Sequence, residues 1–448
     1  MMNEELSVVG NPLSVAEKQR TTDNGQRTVH HSSFIIPRSS FAASVRRRLA
    51  NIFELADANN PRRNLPMEGL RGLAVILVFF VHYHAIFKPW VQQGSFTFAF
   101  SNFLGTIGLS GVDLFFVLSG YLIYGMVFKK RNSYMQFIRR RIQRIYPTFL
   151  CVLAVYLLLS ALMPADNKIP SDPFAATLFI AANILLLPGL FQIQPIITVA
   201  WSLSYEFFYY LFIPLIVVAL GMRRWPVLLR IVFFLIIASL YVGYCFIAAH
   251  SHVHLIMFVS GILLFEAIHT YKLGEKVTTG ADYLTLLIFA LTFPLIYALT
   301  ERPELAPSSG GKVVEIYRVI VLFFSFFVFT FVCFSSKTIL KNIFSWTPLR
   351  WLGNMSYSYY LIHGLTLKAV ALVMLRVVHP SAFSVVMFWL GYPFFFLMTL
   401  VSSAILFVLI ERRFSILPAS SAPKQTKPEP LLSNEGVTVA PATEMNLP

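Results

Sequence analysis

Gly69-Leu-Arg-Gly-Leu-Ala-Val-Ile-Leu-Val-Phe-Phe-Val-His-Tyr-His84 decides how the chain is read. It is an apolar run with a cation near its start and two imidazoles near its far end. A helix advances about 1.5 Å and 100° per residue, so the step from Arg71 to His82 is roughly 16 Å and close to three turns. Both side chains therefore share one face at two depths. In a bilayer such groups are costly, and an ionisable side chain inside a span is a functional candidate by default.

Similar runs recur along the 448 residues, of which 56% are hydrophobic and only 13% charged, with 43 Phe. That composition excludes an ordinary soluble domain and predicts an all-α polytopic membrane protein. The spans are expected near 69–88, 107–128, 146–163, 204–222, 226–247, 253–270, 282–300, 314–334, 356–376 and 383–410. A further apolar segment, 174–190, contains Asn183 and Pro188. With ten spans and the N-terminus inside, inner segments hold 28 of the 36 Lys and Arg residues and outer segments hold six. Counting 174–190 as a span would put Arg223, Arg224 and Arg230 on the wrong side. It is expected instead to be a re-entrant or surface helix facing outward, with both termini cytoplasmic. The net charge of +15 is thereby explained by topology, with no nucleic-acid partner.

Residues 1–66 are expected to form a disordered tail, rich in Ser, Asn, Thr and Gln at its start and without a cleavable leader. Within it, 41–55 places Phe41, Val45, Leu49, Ile52 and Phe53 three or four apart around Arg46–Arg48. That pattern suits a basic amphipathic helix on an anionic membrane surface, and a solvated linker would look the same. Residues 67–414 form the expected transmembrane domain, and 415–448, rich in Pro, Ser, Ala and Thr, a disordered tail. Cys151, Cys245 and Cys333 show no paired spacing, so neither a disulfide framework nor a metal site is indicated.

Several residues are candidates for chemistry. Asp113, in Gly111-Val-Asp-Leu-Phe-Phe-Val-Leu-Ser-Gly-Tyr121, is expected at a depth similar to His82, where it would orient the imidazole; a helix-end charge is the alternative. Ser119 and Gly120 need only packing to explain them. Arg141 and Arg144, in Arg139-Arg-Arg-Ile-Gln-Arg-Ile-Tyr-Pro147, share a helical face at the inner mouth of the third span. Paired guanidiniums suit phosphate oxygens, whether of a ligand or of lipid headgroups. In Trp201-Ser-Leu-Ser-Tyr-Glu206, Glu206 is held near the outer end of the fourth span. Trp201 and Tyr205 suit either an interfacial belt or a sugar face. His363 lies in the inner half of the ninth span, and Glu411 reads as a topological anchor. Asn354-Met-Ser356 matches a glycosylation sequon on the predicted inner side.

Taken in order from Leu65 to Phe414, these motifs resemble the membrane-bound acyltransferase-3 family. Arg71 and His82 match its Arg-x10-His signature, 111–121 its Phe-Phe-x-Leu-Ser-Gly-Tyr stretch, and Arg141 and Arg144 its paired arginines; 201–214, 353–363 and Glu411 follow. The resemblance implies a ten-helix enzyme of the plasma membrane, in bacteria the inner membrane. It would move an acyl group, usually acetyl, from cytoplasmic acyl-CoA to a hydroxyl of a glycan or glycolipid on the outer side. Acyl-CoA is then a co-substrate, and no cofactor is held permanently. His82 would be the catalytic base, helped by Asp113 or Glu206. Arg71 would be a donor-site residue, and Arg141 and Arg144 would bind the anionic part of coenzyme A or shape its entrance. Trp201, Tyr205 and His363 are left as acceptor-binding or structural. A proton-coupled transporter using the same intramembrane groups is the alternative, although no half-to-half repeat supports it.

Overall fold

A computed structural model describes residues 38–55, 64–129, 133–163, 167–248, 252–278, 280–301, 311–335, 337–377 and 385–416. The tail segments 1–37 and 417–448, and the Lys130 and Arg131 pair, lie outside them. The chain divides into two compact units, 1–51 and 52–448. In the first, helix α1 (Arg38–Phe53) covers most of the expected amphipathic stretch, and Val45, Arg46–Arg48 and Leu49 are exposed.

The larger unit begins at Ile52, earlier than residue 67. Glu54 closes an ion pair with Arg350 at 2.6 Å, and the Phe53 ring stacks on Phe407 at 5.8 Å. Its helices are α2 (Leu65–Phe87), α3 (Phe96–Gly108), α4 (Ser110–Lys129), α5 (Tyr134–Leu162), α6 (Pro173–Ile184), α7 (Ala200–Ala219) and α8 (Val227–Ile247). They continue with α9 (Ile256–Phe265), α10 (Gly280–Glu301), α11 (Lys312–Phe334), α12 (Ile339–Phe344), α13 (Thr347–Asn354), α14 (Ser356–Val377) and α15 (Val385–Leu406). π-Helical segments of five and nine residues extend α9 over Glu266–Thr270 and α15 over Phe407–Ser415.

Among the described residues ten helical stretches are long and apolar enough to cross a membrane, and each overlaps one expected span. The second is longer than its apolar signal because α3 and α4 run on from one another through Leu109. Helix α6 has 12 residues, about 18 Å, against a hydrocarbon core of about 30 Å. It stops at Ile184, and Asn183 satisfies the backbone beyond it, accepting from Ile196 N at 2.8 Å. The non-helical return from 185 to 199 is thus tied down by a side chain, as buried irregular backbone must be.

The bundle is assembled around α2, which meets α3, α4, α13 and α14, while α4 packs along α9. Small residues decide how close these helices come. A Cβ on Gly72 would stand 2.2 Å from the Leu349 carbonyl oxygen, and one on Gly353 only 1.7 Å from that of Glu68. Backbone therefore touches backbone where α13 crosses the start of α2, the mode by which membrane helices associate tightly.

Candidate functional site

Near mid-bundle, α2, α4, α5, α7 and α14 enclose a cavity of about 130 Å³ whose wall includes Arg71, Ser119, Arg141, Arg144, Glu206, Tyr210 and Tyr360. Arg71, Glu206 and the Arg141–Arg144 pair come from three different helices and are brought to one space. Glu206 accepts from Ser119 Oγ at 2.6 Å and from the Tyr210 hydroxyl. Arg141 lies over the Phe137 and Tyr210 rings, 5.4 and 5.7 Å from their centroids. Arg144 meets Glu411 at 2.6 Å. Three guanidiniums face two carboxylates, so the cavity keeps an excess of positive charge in a low-dielectric setting. Such a setting favours an anionic ligand or a developing oxyanion.

Two sequence expectations change here. Ser119 does more than permit close approach, because its hydroxyl fixes the Glu206 carboxylate. Glu411 is no interfacial anchor: it is fully buried, and its Oε2 accepts from the Ser358 amide at 3.0 Å and the Ser358 hydroxyl at 2.5 Å. The π-turn of Phe407–Ser415 turns this side chain inward, a frequent use of such bulges at functional sites.

His82 lies outside the cavity wall. Its imidazole meets His363 edge to face, with centroids 4.6 Å apart. Both rings are anchored alike. His82 Nδ1 lies 2.9 Å from the Val78 carbonyl, and His363 Nδ1 lies 2.9 Å from that of Tyr359. A carbonyl only accepts, so each Nδ1 carries the proton and each Nε2 is left with its lone pair. His363 Nε2 is buried and has no hydrogen-bond partner among the described residues. The Tyr360 ring stands between the two centres, 6.1 Å from His363, and its hydroxyl bonds Ser202 Oγ at 2.5 Å. Sequence reasoning placed His363 in the inner half of its span. It reaches His82 because α13 brings the chain against the start of α2, with Gly353 beside Glu68 and Gly72, before α14 begins at Ser356.

Asp113 does not orient His82. Its Oδ1 is 2.6 Å from His254 Nδ1, and His254 Nε2 is 3.1 Å from Glu315. This relay ties the start of α4, the turn before α9 and the start of α11 together. No sequence motif announces it, because the partner of Asp113 lies 141 residues away. Trp201 and Tyr205 enclose His252, with ring centroids at 5.6 and 5.2 Å, and the Tyr205 hydroxyl is committed to the Gly189 carbonyl. These aromatics hold the 185–199 return in place. His84, the second imidazole of the opening run, bonds Ser101 Oγ at 2.8 Å and secures α3.

A buried charged cluster thus sits among ten helices long and apolar enough to cross a membrane, and comparison with known proteins gives the class of the bundle. The family model described as an acyltransferase domain matches residues 65–408. The chain belongs to this acyltransferase-3 family. It is similar to O-acetyltransferase OatA of Staphylococcus aureus strain NCTC 8325, with 24% identity over 332 residues, covering 68% of this chain and 50% of the relative. It is also similar to the putative O-acetyltransferase SACOL0978 of Staphylococcus aureus strain COL, with 25% identity over 324 residues, covering 66% and 49%. The chain thus spans about half the length of the curated relatives it matches. No solved structure matches it.

Proposed function

We propose that this protein is an O-acyltransferase that moves an acyl group, in the simplest case acetyl, from cytoplasmic acyl-CoA to a hydroxyl of a glycan or glycolipid at the outer side of a plasma membrane. The observation that carries this reading is the placement of an arginine-rich cavity and a bare imidazole nitrogen at two levels of one helix, α2. The family and the O-acetyltransferase relatives supply the reaction class.

In the proposed reaction His82 Nε2 takes the proton of the acceptor hydroxyl while its oxygen attacks the thioester carbonyl. Negative charge grows on the carbonyl oxygen, and the net positive charge of the adjoining cavity, supplied by Arg71, Arg141 and Arg144, stabilises it through the low-dielectric bundle. The C–S bond then breaks, the acyl ester leaves with the acceptor, and the coenzyme A thiolate takes up the proton. Glu206, held by Ser119 and Tyr210, limits the net charge of the arginine cluster and positions it. His363 shares the proton-accepting region with His82. Its pairing supports a role in transfer beyond the acceptor-binding or structural one expected for it.

Purified full-length protein is to be incubated with acetyl-CoA and surface glycans, reading acetyl ester formed and thiol released. His82→Ala is expected to lower transfer by about 10²- to 10⁴-fold, the usual contribution of general-base catalysis, while the protein elutes as wild type. Full activity in that variant would remove His82 from the mechanism. Acetyl label retained on protein without acceptor would instead assign a covalent relay.

A further inference from the structure

A second cavity, lined by Lys129 and Lys341, has no part in the reaction just described. Its volume is about 500 Å³, against about 130 Å³ for the central cavity. Small-molecule sites generally occupy about 300–1,000 Å³, so a nucleotide-sized ligand fits the former and not the latter. The two cavities share Met67 and Leu122 as wall residues.

Its lining is chemically one-sided. Lys129, Lys341 and His269 line it, and no Asp or Glu does among the described residues. The Lys129 ammonium is 3.2 Å from His269 Nε2, and the Tyr121 hydroxyl is 2.9 Å from the same nitrogen. Lys129 also stands 5.4 Å above the Phe265 ring, and the Tyr121 and Phe334 rings are 5.0 Å apart. Ammonium groups answer phosphate charge, and ring faces answer a purine. Glu266, next to the lining residue Phe265, is held by Arg230 at 2.7 Å.

We propose that this cavity binds the phosphorylated adenosine of the acyl donor, through Lys129 and Lys341, and that the thin pantetheine arm passes between Met67 and Leu122 to bring the thioester into the central cavity. The proposal rests on the donor reading above. It separates two tasks that the sequence assigned to one motif. Arg144, held by Glu411, and Arg141, stacked on rings, line the central cavity and not this one, so they act at the thioester end rather than on the phosphates.

The test uses full-length protein in nanodiscs of zwitterionic lipid, with Lys129→Gln and Lys341→Gln, and Lys→Arg at each position as the conservative control. Binding of coenzyme A and of adenosine 3′,5′-bisphosphate is measured by calorimetry. Each Gln variant is expected to weaken both ligands about tenfold, the order of one charge-assisted hydrogen bond, with Arg restoring most of the loss. The ratio of kcat/KM for acetyl-CoA to that for S-acetylpantetheine, which has no nucleotide, falls by the same factor. Unchanged coenzyme A binding in both Gln variants overturns the assignment while leaving the donor reading intact. Wild-type protein that binds no coenzyme A overturns the donor reading itself. Gln variants that keep nucleotide affinity but lose retention of phosphatidylglycerol assign the lysines to lipid headgroups, and that outcome also overturns it.

Discussion

Two of the buried arginine–glutamate pairs among the described residues, Arg230–Glu266 and Arg144–Glu411, are satisfied to very different degrees. Arg230 grips Glu266 with two hydrogen bonds of 2.7 and 2.8 Å. Tyr124 and Thr270 fill the remaining carboxylate positions at 2.6 and 2.7 Å, and the third guanidinium nitrogen reaches the Trp225 carbonyl at 2.7 Å. Arg144 meets Glu411 through a single 2.6 Å contact, and its side chain is 25% exposed, against 6% for Arg230. That exposure opens into the central cavity. A saturated pair has nothing left to offer a ligand and serves the fold; an unsaturated one is available for binding and transfer.

Removing one partner of a buried pair leaves the other charge unmatched, at a cost of about 3–5 kcal/mol, whereas replacing both by apolar residues is often neutral. The largest expected effect is therefore Arg230→Met, with loss of the folded peak in size-exclusion chromatography and of most of the thermal transition. Arg230→Met with Glu266→Leu should recover both, together with transfer. If that double variant folds but does not transfer, Arg230 is not merely structural and the contrast fails. Arg144→Met with Glu411→Leu gives the opposite pattern: a normal melting profile and transfer lowered about a hundredfold, in line with loss of one preorganised transition-state donor. Equal activity in the two double variants would erase the distinction. The smallest effect is Ser119→Ala, which removes one hydrogen bond to the Glu206 carboxylate. About tenfold slower transfer at unchanged melting temperature is expected; an unchanged rate would show that Tyr210 alone positions Glu206.

The spans were legible because a run of about twenty apolar residues needs no tertiary context to be a membrane helix. The arginine face of α5 was legible for the same reason, being a local three-residue spacing. Partners were not. Asp113 was matched to His82 by depth, but depth says nothing about which side of α4 faces α2, and its bond goes to His254. Glu266 and Arg230 do carry a signal in the sequence, each being a charge within an apolar helix, but Arg230 lies near a helix start, where a topological cation looks the same. Glu411 was read by its basic neighbours Arg412 and Arg413, and its inward turn depends on a π-helical residue that apolar periodicity does not register. The depth of His363 was missed because α12 and α13 are too short and too polar to look like part of the bundle.

The glycine contacts where α13 crosses α2 have a last consequence. With Gly72 and Gly353 holding backbone against backbone, the start of α2 cannot slide or rotate without parting two main chains. The separation of Arg71 from His82 is then set by residue count alone, at about 1.5 Å and 100° a step. Helix α2 acts as a ruler with its zero mark pinned. One residue more or fewer between those two positions would swing the imidazole a quarter turn or more away from His363, whatever the surrounding helices did to accommodate it.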